Sequence, residues 1–413
     1  MKKIVIIGSG IVGICTAVEL INRGFSVTVI DPNEPGSQTS YGNAGVLTDT
    51  SLMIINNPQL LRSLYSLIFK RKTSFRYSKL FVFSRISWVI NFLMFSKSKH
   101  MELAAKALRE LQVLSLKTHK KLIKKTKSSN NIESPGWLKV FKTPLSFEKY
   151  AFELDILDKN KAEYTLLNTA EIKKQFPDLQ IEYYKGVLFK NSLRVKSPIE
   201  LSKNYFKNFI KSGGNFYKEI CKDIKYINGN WTVILDKNKK IFDEVVICTG
   251  PWSKDFLSNL GYKIPLAWER GYHHHFSTKK DIDLSPAIHD VDGGFVYSCN
   301  KNEIRVTSGV ELNFREAVSN EEQINEVVQK LKIILPLKNK LTKTPWLGSR
   351  PTIADSLPMI GKAPKHKNLW FNFGHNHIGL STSAGSGVIL ADMIENKKTS
   401  INVDPFLPER LAL

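Results

Sequence analysis

The sequence predicts an α/β fold whose first unit is a parallel sheet connected by a helix. Two apolar, β-branched runs, Ile4–Ile7 and Val27–Ile30, are typical of buried strands. Between them, a helical pattern of apolar residues ends at Gly24, and glycine is common just after a helix. A glycine-rich turn joins the first strand to the helix. The opening thirty residues therefore form a complete strand–helix–strand unit.

The turn reads Gly8-Ser9-Gly10-Ile11-Val12-Gly13, which is the G-x-G-x-x-G spacing of a dinucleotide-binding fingerprint. We expect Gly8 to allow the tight turn, Gly10 to let a pyrophosphate approach, and Gly13 to permit close helix–strand packing. Asp31 follows about 20 residues later, where its carboxylate can accept hydrogen bonds from an adenosine ribose. The turn alone does not distinguish NAD from FAD. A secretory signal peptide is the weaker alternative, because three glycines interrupt the apolar run.

The composition is that of a globular chain with a large basic excess. Its 413 residues are enough for two domains with a sizeable core. The net charge of +22 has two open explanations: a bias in amino-acid usage, or attraction to anionic lipid. Nucleic acid is a weaker candidate partner, because the sequence contains no nucleic-acid-binding motif. Four cysteines without a C-x-x-C pair are typical of buried thiols in a cytoplasmic protein.

Residues 60–99 form a basic stretch that is rich in aromatic side chains. They contain nine Lys and Arg residues and no Asp or Glu. The longest uncharged run between those basic residues, Ile86–Ser96, is too short to cross a bilayer. Two interpretations stay open: a segment lying in the interface of an anionic membrane, or substrate-domain helices with a solvated basic face.

Downstream patterns predict a second domain and a return to the first. Residues 102–126 have the periodicity of a long helix, and residues 231–235 and 241–248 are predicted to be paired strands. The second of these strands ends in Thr249-Gly250, a turn that lets the backbone approach a cofactor. The last strand is predicted at 368–373. A C-terminal helix follows at about 384–395, and its polar N-terminal turn can stabilise an anion.

The segment Trp268–Phe276 is a predicted strand with three consecutive histidines. Alternation places His273 and His275 on one face and Tyr272 on the other, and one of the two faces should look into a substrate cavity. A metal site that includes His375 is conceivable. No carboxylate or thiolate cluster accompanies these histidines, so no metal is expected.

Taken together, these motifs are similar to those of the FAD-dependent amine and amino-acid oxidoreductases of the D-amino-acid oxidase superfamily. The chain most resembles bacterial D-amino-acid dehydrogenases of the small-subunit type, and the resemblance covers nearly its whole length. Besides the N-terminal fingerprint it rests on Thr39-Ser40-Tyr41-Gly42-Asn43-Ala44-Gly45, Cys248-Thr249-Gly250-Pro251-Trp252, Arg270-Gly271-Tyr272, Trp346-Leu347-Gly348-Ser349-Arg350-Pro351 and Gly374-His375 with Gly379-Leu380.

The resemblance implies FAD rather than NAD. It implies a Rossmann-like FAD-binding domain, of the D-amino-acid oxidase or glutathione-reductase type, with an inserted α+β substrate domain. The FAD-binding domain would comprise residues 1–50, 190–262 and 342–413, and the substrate domain residues 51–189 and 263–341. The cofactor contacts implied are Gly8, Gly10, Ile11, Val12, Gly13, Asp31, Ser40, Asn43, Ala44, Gly45, Thr249, Gly250, Gly348, Gly379, Leu380, Ser381 and Thr382.

Arg350 is the leading candidate for binding a substrate carboxylate, because its guanidinium is planar, permanently charged and suited to bidentate pairing. The alternative is a structural arginine paired with Asp355. By resemblance, Tyr272 closes over the substrate and His375 lines the flavin pocket. More distant oxidases have a basic residue where this chain has Asn376-His377, so a second carboxylate contact stays open.

The activity implied is oxidation of D-amino acids, or of cyclic imino acids such as D-proline or hydroxyproline, by hydride transfer from Cα to flavin N5. The enzyme would act in amino-acid catabolism on the inner face of the cell membrane and pass electrons to a quinone or another carrier. The alternatives are a glycine or sarcosine oxidase that uses O2, and a flavin-binding scaffold subunit of a larger complex.

Overall fold

A computed structural model describes residues 1–61, 73–279, 281–282, 284–300 and 302–413 of the chain. Its helices have these bounds: α1 Ile11–Asn22, α2 Lys79–Ser84, α3 Ile86–Met94, α4 Ser98–Lys125, α5 Pro144–Lys159, α6 Thr169–Gln175, α7 Pro198–Lys211, α8 Ser253–Ser258, α9 Glu322–Ile334 and α10 Gly379–Ile394. The long helix predicted at 102–126 is α4, which begins four residues earlier. Across the described residues, no helix is both long and apolar enough to span a bilayer.

The parallel strand–helix–strand unit predicted from the first thirty residues is present within a six-stranded sheet, which we refer to as the parallel sheet. Its strands lie side by side in the order Asn215–Tyr217, Ser26–Ile30, Lys3–Ile7, Glu244–Ile247, Leu369–Phe373 and Met359–Lys362. All neighbours are parallel except the last pair. The central strand is fully buried from Ile4 to Ile6, as expected for a parallel sheet covered on both faces.

The predicted strand at 241–248 is wrong, because the chain there forms two strands of different sheets. Lys239–Phe242 completes a small antiparallel sheet, whereas Glu244–Ile247 runs parallel to the first strand of the chain. Between them, the Asp243 backbone N–H donates to the Lys3 carbonyl at 2.9 Å, and the Asp243 carboxylate accepts from the Lys3 N–H at 2.6 Å. The chain therefore changes sheets at Asp243, a change that local alternation of side chains does not reveal.

A second, larger sheet, here called the mixed sheet, faces the carboxyl edge of the parallel one. Its main path runs through Phe75–Tyr77, Val310–Leu312, Leu266–Thr278, Glu303–Thr307, Phe295–Asn300, Ala287–Asp290, Trp137–Phe141, Lys185–Phe189 and Thr165–Asn168. Leu337–Lys340 and Trp346–Ile353 also pair with Leu266–Thr278. The remaining strands form two small sheets, Cys221–Ile227 with Asn230–Leu235 and Lys239–Phe242, and Val46–Leu47 with Leu193–Val195 and Ile132–Glu133.

Helix α10 begins at Gly379, so its predicted start near residue 384 is wrong. Its first turns are rich in Gly and Ser, which are weak helix formers, and local propensity therefore missed them. Small residues are required there because α10 packs against α1 and α4. A Cβ added at Gly385 would lie 2.7 Å from the Leu111 carbonyl oxygen, and one at Gly387 would lie 3.2 Å from the backbone of Cys15. Burial between helices thus stabilises a sequence that is a poor isolated helix.

The two sheets draw on the chain segments that the sequence assigns to two domains. Strands of the parallel sheet come from residues 3–30, 215–217, 244–247 and 359–373, all within the segments expected to bind FAD. Trp346–Ile353 was expected there as well, yet it pairs in register with Leu266–Thr278 of the mixed sheet. The domain division stays a prediction, and this strand is a part of the expected FAD-binding segments that lies in the mixed sheet.

Candidate active site

A cavity of about 940 Å³ lies between the carboxyl ends of the parallel strands and one face of the mixed sheet. The strand ends contribute Ile7, Ile30 and Phe373, and the mixed sheet contributes Val296 and Thr307. Ligands of open α/β sheets bind outside the carboxyl ends of the strands. A cavity of this position and size is therefore the candidate active site.

The structure brings most of the predicted site residues to this cavity. Those that line it are Gly8, Gly10, Ile11, Val12, Asp31, Ser40, Asn43, Ala44, Thr249, Gly250, Gly348, Arg350, His375, Gly379, Leu380 and Ser381. Gly13, Gly45 and Thr382 are not among the lining residues, and neither is Tyr272. Residues from both ends and the middle of the chain thus converge on one space.

The glycine turn leaves its backbone open toward the cavity. Gly8 has φ +108°, and a Cβ on it would overlap the Cys248 carbonyl; a Cβ on Gly13 would overlap the Gly8 carbonyl. At Gly10, by contrast, an added Cβ meets only Ser40 Oγ, at 3.4 Å. The N-terminus of α1 begins there, with Gly10 as its capping residue. Open backbone at a helix N-terminus forms a cradle that suits a pyrophosphate.

Asp31 fastens this turn to the end of the second strand. Its Oδ2 accepts a 2.8 Å hydrogen bond from the Ser9 backbone N–H, and its Oδ1 accepts one of the same length from the Asn33 N–H. An ionised carboxylate has about four acceptor positions, so capacity is left on the cavity side for ribose hydroxyls.

The loop that follows runs along the cavity and is held by side chains at both ends. Ser40 Oγ accepts from the Ile11 N–H at 2.9 Å, and Asn43 Oδ1 accepts from the Gly45 N–H at 2.8 Å. Arg305, on the mixed sheet, donates to the Asn43 carbonyl at 2.8 Å. Arg305 was not among the predicted site residues, because no local motif marks an arginine that acts on a loop 262 residues away.

Two further turns line the cavity, and both were predicted to contact the cofactor. Gly250 has φ +52° in the short turn after strand Glu244–Ile247, where the Thr249 hydroxyl lies 2.9 Å from that of Ser253. On the opposite side, the N-terminus of α10 reaches the cavity. Ser381 Oγ donates to the Val46 carbonyl at 3.0 Å, which ties this helix end to the start of the chain. A helix N-terminus at this position favours negative charge in the cavity.

Arg350 lies in the cavity wall with its guanidinium over Gly271, where any added Cβ would overlap it. Its hydrogen bond to the Gly309 carbonyl is long, at 3.5 Å. Asp355 instead pairs with Arg410 at 2.6 Å, so the alternative of an Arg350–Asp355 ion pair is not what the structure shows. Burial lowers the pKa of Arg350 and nearby Glu269 raises it, but a guanidinium stays charged in proteins. Arg350 therefore presents donors to the cavity.

Tyr272 does not fit its expected position over a substrate. Gly271 is the residue of this strand that lines the cavity, so the side chain of its neighbour Tyr272 points to the other face. The Tyr272 hydroxyl donates to Glu311 Oε2 at 2.8 Å and accepts from the Asn320 N–H at 2.9 Å. Its ring belongs to the apolar core of the mixed sheet. This placement supports a structural role for Tyr272.

His375 and His377 both line the cavity as neutral imidazoles. Burial lowers the pKa of His375 to about 3. The His377 side chain is exposed to the cavity, yet desolvation by the cavity wall and the field of Arg350 lower its pKa to about 4. His375 Nε2 lies 3.2 Å from Ser386 Oγ of α10. Among the residues described, no three His, Cys, Asp or Glu side chains are grouped as metal ligands would be.

One row of side chains on the mixed sheet forms the far wall. Thr307, Val296, His289 and Lys139 are register partners on successive strands, and all four line the cavity. Lys139 forms a close ion pair with Glu153. Burial lowers the pKa of His289 to about 3, with Lys139 acting in the same direction. The sequence analysis missed this row, because only the pairing of distant strands brings its members together.

Comparison with known proteins agrees with this geometry. The profile of a family described as FAD dependent oxidoreductase matches residues 3–393, and the chain belongs to that family. A D-amino-acid oxidase of Bradyrhizobium diazoefficiens is 27% identical over 99% of each chain, and a D-amino acid dehydrogenase of Helicobacter pylori is 22% identical over 98% of each. Glycine oxidase from Geobacillus kaustophilus has a similar fold, with a TM-score of 0.78, 16% identity and 100% coverage of both chains. L-Proline dehydrogenase from P. horikoshii has the same TM-score at 19% identity, with 99% and 97% coverage.

The protein is thus an FAD-dependent oxidoreductase of the amino-acid oxidase and dehydrogenase family. The prediction of FAD as cofactor and of a Rossmann-like α/β fold is confirmed. The cradle at Gly10, the acceptor at Asp31 and the N-terminus of α10 are the features of this cavity that suit the phosphates, the ribose and an electron-rich ring of FAD.

Proposed function

We propose that the protein is a dehydrogenase of D-amino acids or of cyclic imino acids such as D-proline. The observation that carries the proposal is Arg350: a guanidinium in the wall of the cofactor cavity with one long backbone contact. A half-buried cation with free donors is suited to an anion of matching shape, and a carboxylate is the bidentate partner of a guanidinium. The D configuration is favoured by relatives named D-amino-acid oxidase and D-amino acid dehydrogenase.

The chain's own residues would act mainly by orientation. Arg350 holds the carboxylate, which fixes Cα against the cofactor and makes the reaction effectively unimolecular. Bound FAD supplies the acceptor for the hydride that leaves Cα. The imidazoles of His375 and His377, neutral at pH 7, can donate or accept hydrogen bonds without adding charge. The substrate then leaves as an imino acid that water hydrolyses to the keto acid.

A screen of candidate substrates under anaerobic conditions tests this function. Holoenzyme is mixed with D-amino acids, D-proline, glycine and sarcosine, and loss of flavin absorbance is followed. We expect bleaching by D-amino acids or D-proline, and on admission of air, slower reoxidation by O2 than by a quinone. Fast O2 consumption with peroxide release would favour a glycine or sarcosine oxidase. A flavin that no amine bleaches would favour a scaffold subunit.

We propose further that the protein works on the surface of an anionic membrane, at the inner face of the cell membrane. Helices α2 and α3 carry large apolar side chains that are exposed to solvent, among them Leu80 at 70% and Phe83 at 76%. Ile86, Ile90 and Met94 follow at four-residue spacing and are also exposed. We call this set the α2–α3 apolar face: Leu80, Phe83, Ile86, Ile90 and Met94.

The charge around this face is complementary to anionic lipid. Exposed Lys79, Lys97 and Lys99 flank it in sequence, and residues 50–101 contain no acidic side chain. Apolar groups that enter the acyl boundary beside lysines that meet headgroups are typical of interfacial helices. The predicted contribution of Lys70, Arg71 and Lys72 lies outside the described residues. Contact with the membrane would place the enzyme beside a quinone that accepts its electrons.

A further inference from the structure

Glu269 lies in the mixed sheet directly across from Arg350. The two residues are register partners of the antiparallel strands Leu266–Thr278 and Trp346–Ile353, so their side chains emerge side by side on one face. Gly271 is on that same face, two residues along, and the Arg350 guanidinium rests over it. The carboxylate of Glu269 is thus the acidic group that the strand pairing places beside the substrate arginine.

The Glu269 side chain is buried without its full set of partners. Only 1% of the residue is exposed, and its Oε2 has no hydrogen-bond partner among the described residues. Its other register neighbour, Leu312, is apolar. Arg270 and Glu311 approach each other on the opposite face at 3.7 Å, so they do not neutralise Glu269. A buried carboxylate in such surroundings is costly when charged, and Arg350 is the cation that offsets the cost.

We propose that Glu269 is a positioning residue that acts through Arg350: it is the counter-ion of the empty carboxylate site and takes up one proton when a carboxylate ligand binds. The inference rests on the proposed role of Arg350. In the free site, the positive guanidinium and the negative Glu269 balance. A bound carboxylate adds a second negative charge beside the same cation. Transfer of one proton from solvent to Glu269 restores the balance, with no bond to the ligand made or broken.

The pKa of Glu269 lies in a range that suits proton uptake near neutral pH. Burial raises the pKa of Glu269 to about 7, although Arg350 and the neighbouring Thr352 hydroxyl favour the charged form. A ligand carboxylate at Arg350 weakens that favourable field, so it raises the pKa of Glu269 further. From the cavity side, His377 also acts on Arg350. Its side chain is exposed to the cavity, and desolvation by the cavity wall together with the field of Arg350 lowers its pKa to about 4.

The direction of the pH effect follows from these charges. Above pH 7 the free site holds ionised Glu269, and binding of a carboxylate must be accompanied by uptake of one proton. The dissociation constant should therefore rise about ten-fold for each pH unit above the titration of Glu269. Below that titration Glu269 already carries its proton, and the dissociation constant should be independent of pH.

The experiment uses holoenzyme and benzoate, a carboxylate without an oxidisable amine. Its dissociation constant is measured from the flavin absorbance change between pH 6 and 9, and proton uptake by calorimetry at pH 8.5 in two buffers of different ionisation enthalpy. We expect uptake of close to one proton in the parent protein. Glu269→Gln should bind benzoate with a pH-independent dissociation constant and no proton uptake. Glu311→Gln, a buried acid on the opposite face, is the matched control and should behave like the parent.

The outcomes separate this inference from the proposed function. Benzoate binding that is unchanged in Arg350→Met would overturn the carboxylate role of Arg350 itself. Binding that needs Arg350 but involves no proton uptake in the parent protein overturns the role of Glu269 alone. The uptake is measured on the parent protein, so this result does not depend on the folding of a Glu269 variant. Uptake that persists in Glu269→Gln and disappears in His377→Asn would assign the proton to His377 and also overturn it.

Discussion

Arg305 donates a 2.8 Å hydrogen bond to the carbonyl oxygen of Asn43, and so connects the mixed sheet to the loop that borders the cofactor cavity. A second bond, 3.3 Å long, reaches the Tyr41 carbonyl, and the guanidinium lies 5.5 Å from the centre of the Tyr41 ring. Its Nε donates to His275, whose other ring nitrogen contacts Glu303. Of the three consecutive histidines of this strand, His275 therefore acts on the loop indirectly, by holding Arg305 in place.

Replacing Arg305 by methionine should weaken FAD binding more than it weakens the fold. Hydrogen bonds from charged groups contribute roughly 1.5–3 kcal/mol, so loss of the two bonds to the loop should raise the FAD dissociation constant at least ten-fold. Flavin fluorescence on dilution of holoenzyme measures this. Arg23→Met is the control: Arg23 pairs with Asp392 and Glu395 away from the loop, so its loss should lower thermal stability rather than FAD affinity. Equal FAD affinity in Arg305→Met and the parent would contradict a role of Arg305 in holding the loop at Tyr41 and Asn43.

Arg350→Ala should raise the KM for D-amino acids by about 100-fold or more and leave FAD bound, because two charged hydrogen bonds to the carboxylate are lost. Arg350→Lys keeps the positive charge but cannot form the bidentate pair with a carboxylate, and it should give an intermediate KM. Steady-state kinetics with a dye acceptor and the flavin content of the purified variants provide the two readouts. A KM that does not change in the alanine variant is inconsistent with carboxylate binding at this position.

Two alanine substitutions in the same turn should have opposite consequences. Gly10→Ala places a methyl group 3.4 Å from Ser40 Oγ and toward the cavity, so the apoprotein should keep its free energy of unfolding within about 0.5 kcal/mol while FAD affinity falls sharply. Gly13→Ala forces a methyl group into the Gly8 carbonyl and should destabilise the apoprotein itself. Thermal unfolding with and without FAD distinguishes the two. Normal FAD binding by Gly10→Ala would show that no phosphate lies at this turn.

Phe83→Glu should weaken binding to anionic vesicles about ten-fold or more, since burying an aromatic side chain contributes roughly 1.5–3 kcal/mol. Ile241→Glu is a matched control, because Ile241 is 64% exposed in a different sheet. Replacing Lys70, Arg71 and Lys72 by Gln should reduce binding at low salt and have less effect at high salt, where charge is screened. Cosedimentation with vesicles of defined anionic content is the measurement. Parent protein that stays in the supernatant would rule out the interfacial role.

Stability should fall as pH decreases from about 6.5 to 4, partly through His119. Burial lowers the pKa of His119 to about 4. Between pH 6.5 and 4, His119 is therefore protonated in the unfolded chain but largely neutral in the folded protein. The shift corresponds to a loss of about 3 kcal/mol between the ordinary pKa of 6.5 and pH 4. Urea unfolding at pH 7.5, 5.5 and 4.5 tests it. His119→Asn should show a shallower pH dependence than the parent, and an equal slope in both would exclude His119 as a cause.

Patterns that are local in the chain predicted their structures well. The turn from Gly8 to Gly13 needs only residues next to one another, and its geometry follows from the spacing of its glycines. The approach of Arg350 to the cavity was inferred from the resemblance to amino-acid oxidoreductases together with the chemistry of a guanidinium. Neither Asp243, where the chain changes sheets, nor the position of Tyr272 could be inferred in this way, because both depend on which distant strand lies alongside.

Glu269 and Arg305 were not predicted from the sequence for the same reason, because their positions also depend on which distant strands lie alongside. Each sits in an alternating strand where either face could have looked into the cavity. For the strand of Glu269, Gly271 identifies the face that looks into the cavity. The Arg350 side chain occupies the space that a Cβ at Gly271 would fill. A glycine in the middle of a strand signals close approach of another group, so this feature was available in the sequence.

The position of the first strand in the middle of its sheet has a consequence for synthesis of the protein. Lys3–Ile7 is synthesised about 240 residues before its neighbour Glu244–Ile247, and Leu369–Phe373 follows later still. At a synthesis rate of roughly 5–20 residues per second, the strand Lys3–Ile7 lacks its neighbour Glu244–Ile247 for on the order of ten seconds or more. The nascent chain therefore carries a fingerprint that cannot yet hold its cofactor. Capture of FAD becomes one of the last events of folding, and a chain truncated before residue 369 would lose it altogether.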